Sequence, residues 1–112
     1  MSNNLEKFVF FDSESTSSES SILSNPNRGE EMTVQVSGIG SSTISITFKG
    51  MADYKSEEFV NLAAISLSDF KVKSAITEDG IYSVPINGIG QIKAVCTGGV
   101  GAVKVYGMLI EG

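Results

Sequence analysis

The chain has 112 residues, 41% hydrophobic and 19% charged, with a formal charge of −5; this is one domain with enough apolar side chains for a single core, and it excludes a second domain and a disordered polyelectrolyte. The lysines and arginines are scattered along an acidic chain, so neither a nucleic-acid backbone nor an anionic membrane surface is an expected partner. Histidine and tryptophan are absent and cysteine occurs once, as Cys96, which excludes zinc ligation, imidazole-activated nucleophiles and an intramolecular disulfide.

Met1 to Lys7 has no basic segment followed by a long apolar stretch, so neither a signal peptide nor a membrane span is expected, and the free thiol fits synthesis in a reducing cytoplasm. Lys7 to Phe11, K-F-V-F-F, has the aromatic and β-branched content of a strand. The serine- and glutamate-rich stretch that follows, Asp12 to Ser21, cannot support a packed core. Residues 12–30 therefore read as a polar loop, or as an arm that orders on a neighbouring subunit. Ile22 and Leu23 interrupt it before the N-P-N-R-G turn at Asn25 to Gly29.

From Met32 the pattern alternates strictly, with Met32, Val34 and Val36 on one face. After S-G-I-G-S-S the alternation resumes, with Ile44, Ile46 and Phe48 inward. The two runs are expected to pair as a hairpin. Lys49 to Glu58 reads as a loop carrying Tyr54, and Phe59 to Leu67 reads either as a helix burying Val60, Ala63, Ala64 and Leu67 or, favoured by its flanks, as an irregular strand. Phe70 to Ile76 alternates again, and E-D-G at Glu78 to Gly80 is a turn. Ile81 to Ile86 is a strand whose Pro85 belongs at an edge, or where its missing N–H faces outward. Asn87-Gly88 and Gly98-Gly99 then set off two last strands, Gln91 to Thr97 and Ala102 to Ile110.

These runs predict an all-β fold, a single antiparallel β-sandwich of about eight strands over residues 1–112. Within it, V-Q-V-S-G-I-G at Val34 to Gly40 is echoed fifty positions later by V-P-I-N-G-I-G at Val84 to Gly90. Two hairpins on opposite sheets using the same turn chemistry would account for the echo, and a two-fold repeat is the alternative.

Chemistry-bearing groups are sparse. Asp12, Glu14 and Glu19, or Glu78 and Asp79, are acids without a calcium-loop spacing, and Glu57-Glu58 point to opposite faces of any strand. Solvated charge is the favoured reading of all of them, and no catalytic, metal-binding or cofactor-binding residue is assigned. Gly38 to Gly40 and Gly88 to Gly90 precede no helix, so neither is a phosphate-binding loop. Tyr54, Tyr82 and Tyr106 could stack on a sugar, although a tyrosine at the core boundary is the commoner role.

The order of features resembles that of small β-sandwich structural proteins of tailed bacteriophages and phage-tail-like particles. The residues that carry it are the opening strand Phe8-Val9-Phe10-Phe11, a polar loop, M-T-V-Q-V-S-G followed by T-I-S-I-T-F-K-G, then G-I-Y-S-V-P-I-N-G-I-G-Q-I-K-A-V, and a final V-K-V-Y-G. The resemblance implies a non-enzymatic virion subunit, of capsid-decoration, head-fibre, collar or tail-accessory type. Such a subunit is made in the host cytoplasm and docks on other virion proteins and on copies of itself, without nucleic acid or membrane. The apolar residues flanking the serine-rich segment, Phe8, Phe10, Ile22 and Leu23, are the candidate assembly contacts, with burial in the chain's own core as the alternative for the two phenylalanines. Two other classes stay open: a carbohydrate-binding module using Tyr54, and a small hydrolase using Glu57 or Glu58.

Overall fold

The structure, a computed structural model, describes residues 4–14, 18–19, 23–24, 31–40, 43–51, 58–86, 89–98 and 103–111, with the backbone alone for 4–7, 13–14, 18–19, 23–24 and 109–111. Among the described residues the strands are β1 (Asn4–Glu14), β2 (Ser18–Glu19), β3 (Leu23–Ser24), β4 (Glu31–Ser37), β5 (Ser45–Met51), β6 (Val60–Leu62), β7 (Ala64–Ser66), β8 (Val72–Lys73), β9 (Gly80–Pro85), β10 (Gln91–Thr97) and β11 (Val103–Glu111). They form a six-stranded sheet in the order β1-β11-β4-β9-β7-β8 and a five-stranded sheet, β2-β10-β5-β6, with β3 also on β10. Every ladder is antiparallel. The expected antiparallel sandwich is the fold observed.

The alternating runs bury the faces that their spacing predicts. Met32, Val34 and Val36 from the six-stranded sheet meet Ile46 and Phe48 from the five-stranded sheet and Ile44 just before β5, all at 1% exposure or less. Burial of one such side chain contributes about 1.5–3 kcal/mol. Ile92, Ala94 and Cys96 of β10 and Val103 and Val105 of β11 complete the interior.

The expected β4–β5 hairpin does not form. β4 pairs with β11 and β9, whereas β5 pairs with β10 and β6, so the connection is an arch from one sheet to the other. Alternation specifies which face is buried but not which strand lies alongside, and an arch satisfies the same pattern as a hairpin. What selects the arch is its middle residue: Gly38 and Gly40, at φ +92° and +56°, turn Ile39 inward, where it is 2% exposed and caps the end of the core. The Asp79 carboxylate closes the arch, its Oδ1 accepting from the Ile39 N–H at 2.8 Å and its Oδ2 from the Gly40 N–H at 3.4 Å.

The second copy of the motif does the same. β9 lies in the six-stranded sheet and β10 in the five-stranded sheet; Ile86 is fully buried and Ile89, whose N–H donates to the Ile86 carbonyl at 2.9 Å, packs on the core. The sequence echo is thus a pair of sheet-to-sheet arches, not a pair of hairpins. β4 and β9 themselves pair, with Met32 opposite Val84 and Val34 opposite Tyr82.

Phe59 to Leu67 is neither a helix nor one strand. β6 belongs to the five-stranded sheet and β7 to the six-stranded one, and of Val60, Ala63, Ala64 and Leu67 only Ala64 is buried. Phe70 to Ile76, expected as a strand, contributes only β8: Phe70 and Val72 are exposed, and Ile76 reaches the opposite sheet to exchange two backbone hydrogen bonds with Ile46. Pro85 is the last residue of β9 and lies beyond Ser83, the last β9 residue paired with β7, so its missing N–H interrupts no ladder there. Cys96 is a buried free thiol.

Candidate assembly surface

Phe10 is 5% exposed and stands edge-on between Phe8 (centroids 4.9 Å apart) and Phe48 (5.2 Å), so its surface is spent inside the protomer and none is left to offer a partner. Phe8 is half-buried against the same cluster. Room for the Phe10 ring comes from Gly107 on β11, where a Cβ would lie 2.8 Å from the ring and 3.2 Å from Met32 Sδ. Leu23 is described by its backbone, which pairs with Ile92 of β10, and Ser18 and Glu19 pair with Cys96 and Val95. These pieces of the 12–30 segment thus lie along the chain's own sheet. Ile22, Tyr54 and Glu57 fall outside the described residues.

Several polar groups have structural partners. Glu31 accepts a 2.8 Å hydrogen bond from the Ser83 hydroxyl, and Asp79 holds the β4–β5 arch. Tyr82 is buried and its hydroxyl donates to the Glu78 carbonyl at 2.7 Å; burial, reinforced by the charges of Glu78, Asp69 and Asp79, pushes its ionisation above the usual tyrosine range. Among the described residues no three acids, histidines or cysteines are grouped to hold a metal ion.

The two sheets differ in what they present to solvent. The outward positions of β5 and β10 are Ser45, Thr47, Lys49, Gln91, Lys93 and Thr97, with Val95 and the buried Met51 as their apolar members. Lys93 lies over the Phe59 ring at 4.4 Å, an arrangement that holds a cation in place on this face. The outward face of the six-stranded sheet carries Val9, Tyr106, Met108, Ile81, Ile65 and Val72, joined by Thr33, Gln35 and Ser83 and by the charged Glu31, Lys104 and Asp12. Val9, Ile81, Met108 and Val72 are 38–67% exposed. Exposed apolar residues thus stand on both sides of the polar outward positions Thr33 and Gln35 of β4.

The centre of this face is hollowed. A depression of about 280 Å³ is lined by Thr33, Gln35, Ile81, Tyr106, Gly107 and Met108. Gly107 contributes to its lining between the outward residues Tyr106 and Met108. None of the lining side chains is charged. Sequence reasoning passed over Ile81 and Met108, although the signal was present: each is an apolar residue at an outward position of an alternating strand, where a solvated sheet would carry a polar one.

No family model matches this sequence, and no curated protein matches it. Among solved structures, the SPBc2 prophage-derived protein YomS aligns over 98% of this chain and 96% of its own length, with a TM-score of 0.84 and 23% identity. The PBSX exported protein XepA aligns over 98% of this chain with a TM-score of 0.86 and 18% identity, and this chain spans 39% of its length. The sandwich described above is therefore the fold of YomS and of part of XepA.

Proposed function

We propose that the chain is a non-enzymatic structural subunit of a bacteriophage virion or phage-like particle, and that it works by docking the outer face of its six-stranded sheet on other particle proteins and on copies of itself. The observation that carries this reading is a difference between the two outer faces: the outward positions of β5 and β10 are mostly polar, whereas the six-stranded sheet exposes Val9, Ile81, Val72 and Met108 and has an uncharged hollow. Exposed apolar side chains raise the risk of aggregation, and a partner that covers them removes that liability. The phage-derived proteins that share the fold support the particle context. Decoration, head-fibre, collar and tail-accessory positions all suit a small rigid sandwich. The chain would be made in the host cytoplasm and reside in the finished particle.

The test is quantitative mass spectrometry of gradient-purified particles from the producing bacterium. The expected result is this chain at a fixed copy number per particle. Its recovery only in the soluble fraction, with none in intact particles, would contradict the proposal.

A further inference from the structure

Phe70 combines two unfavourable features. Its ring is 74% exposed, and its backbone lies at φ +58°, in the left-handed region that glycine adopts without strain. The turn holding it is tightly bonded: the Phe70 N–H donates to the Ser66 carbonyl at 2.7 Å, the Ser66 N–H to the Lys71 carbonyl at 3.0 Å, and the Lys71 N–H to Asp69 Oδ1 at 3.0 Å. The phenyl group is thus presented on a fixed backbone, so a partner that takes it up loses little freedom in doing so.

The same molecule carries a cavity of suitable size and chemistry. A closed apolar cavity of about 150 Å³ holds a benzene molecule, and the outer-face hollow measures about 280 Å³ with Ile81 and Met108 as apolar walls and Tyr106 beside them. Phe70 does not fill it within its own chain, since its ring stays in solvent. The uncharged lining lets two acidic chains meet there without placing like charges in contact.

We propose that the Phe70 ring of one copy seats in the hollow formed by Thr33, Gln35, Ile81, Tyr106 and Met108 of a second copy. This rests on reading the outer face as an assembly surface, and it names the partner and the anchor. A projecting group and a complementary pocket at different places on one molecule give a self-association that closes into a dimer or ring, or extends.

The test is sedimentation of the full chain up to about 1 mM for the wild type, Phe70→Gly, Ile81→Arg and an equimolar mixture of the two variants. Phe70→Gly removes the ring and relieves the backbone, so its melting temperature is expected to hold or rise while association is lost. An anchor of this kind weakens the apparent dissociation constant about a hundredfold when removed. Ile81→Arg is expected to be monomeric as well, and the mixture to recover a heterodimer, because one intact ring then meets one intact hollow. Association of Phe70→Gly as tight as wild type, or a wild type that stays monomeric throughout, would overturn the contact. The particle measurement separates the two claims: ring-independent association with the chain present in particles defeats this contact alone, whereas ring-dependent association with the chain absent from particles defeats the proposed function alone.

Discussion

Replacing Asp79 by alanine tests whether the first arch is held as described. The substitution removes both acceptors, Oδ1 at 2.8 Å from the Ile39 N–H and Oδ2 at 3.4 Å from the Gly40 N–H. The longer bond is exposed and contributes little. The shorter one is part-buried, over a side chain that caps the core, so its donor is left without a partner at a cost of about 1–3 kcal/mol. A central figure of about 2 kcal/mol, set against an unfolding entropy of about 2.1 cal/mol/K per residue for this length, lowers the melting temperature by about 8 °C. The assay is thermal unfolding alongside urea denaturation, in which the midpoint falls and the slope stays constant. Asp79→Asn keeps one carbonyl acceptor and should lose less than half as much. A melting temperature for Asp79→Ala within about 2 °C of wild type would refute the arch as an Asp79-dependent structure.

Three further outcomes follow from the packing. Gly107→Ala drives a methyl group against the buried Phe10 ring and Met32 and should destabilise by about 1–3 kcal/mol, read as a lower urea midpoint. The raised ionisation of Tyr82 means that the folded state keeps this proton longer than the unfolded chain does. Its contribution is therefore complete below the unfolded tyrosine value of about 10 and is lost as pH rises through the folded one; urea midpoints measured from pH 8 to 11 should show an alkaline decline that Tyr82→Phe reduces. Met108→Arg, at an exposed outward position, should leave stability within about 0.5 kcal/mol yet lower the copy number in purified particles.

The sequence was most informative where a residue's environment depends on its own strand. The inward sets Met32-Val34-Val36 and Ile44-Ile46-Phe48 were legible because period-two alternation fixes a buried face directly. Strand partners were not, since β4 and β5 satisfy one pattern whether they lie side by side or across the core, and the determinant was the inward turn of Ile39 between two positive-φ glycines. Phe70 opens a run that alternates like a strand, but the five-residue turn closed by its bond to the Ser66 carbonyl places it in solvent. The candidate surface was missed for a related reason. Attention fell on apolar residues beside the serine-rich segment, whereas Ile81, Tyr106 and Met108 come from β9 and β11, two strands that β4 brings to one face.

Side-chain oxidation by hydroxyl radicals, compared between free protein and the same protein in intact particles, tests most directly whether the outer face of the six-stranded sheet is the one that docks. The account predicts that Phe70, Tyr106 and Met108 lose reactivity in the particle while Val95 and Phe59, on the side of β5 and β10, keep theirs. Protection of Val95 and Phe59 with Tyr106 and Met108 still reactive would contradict it.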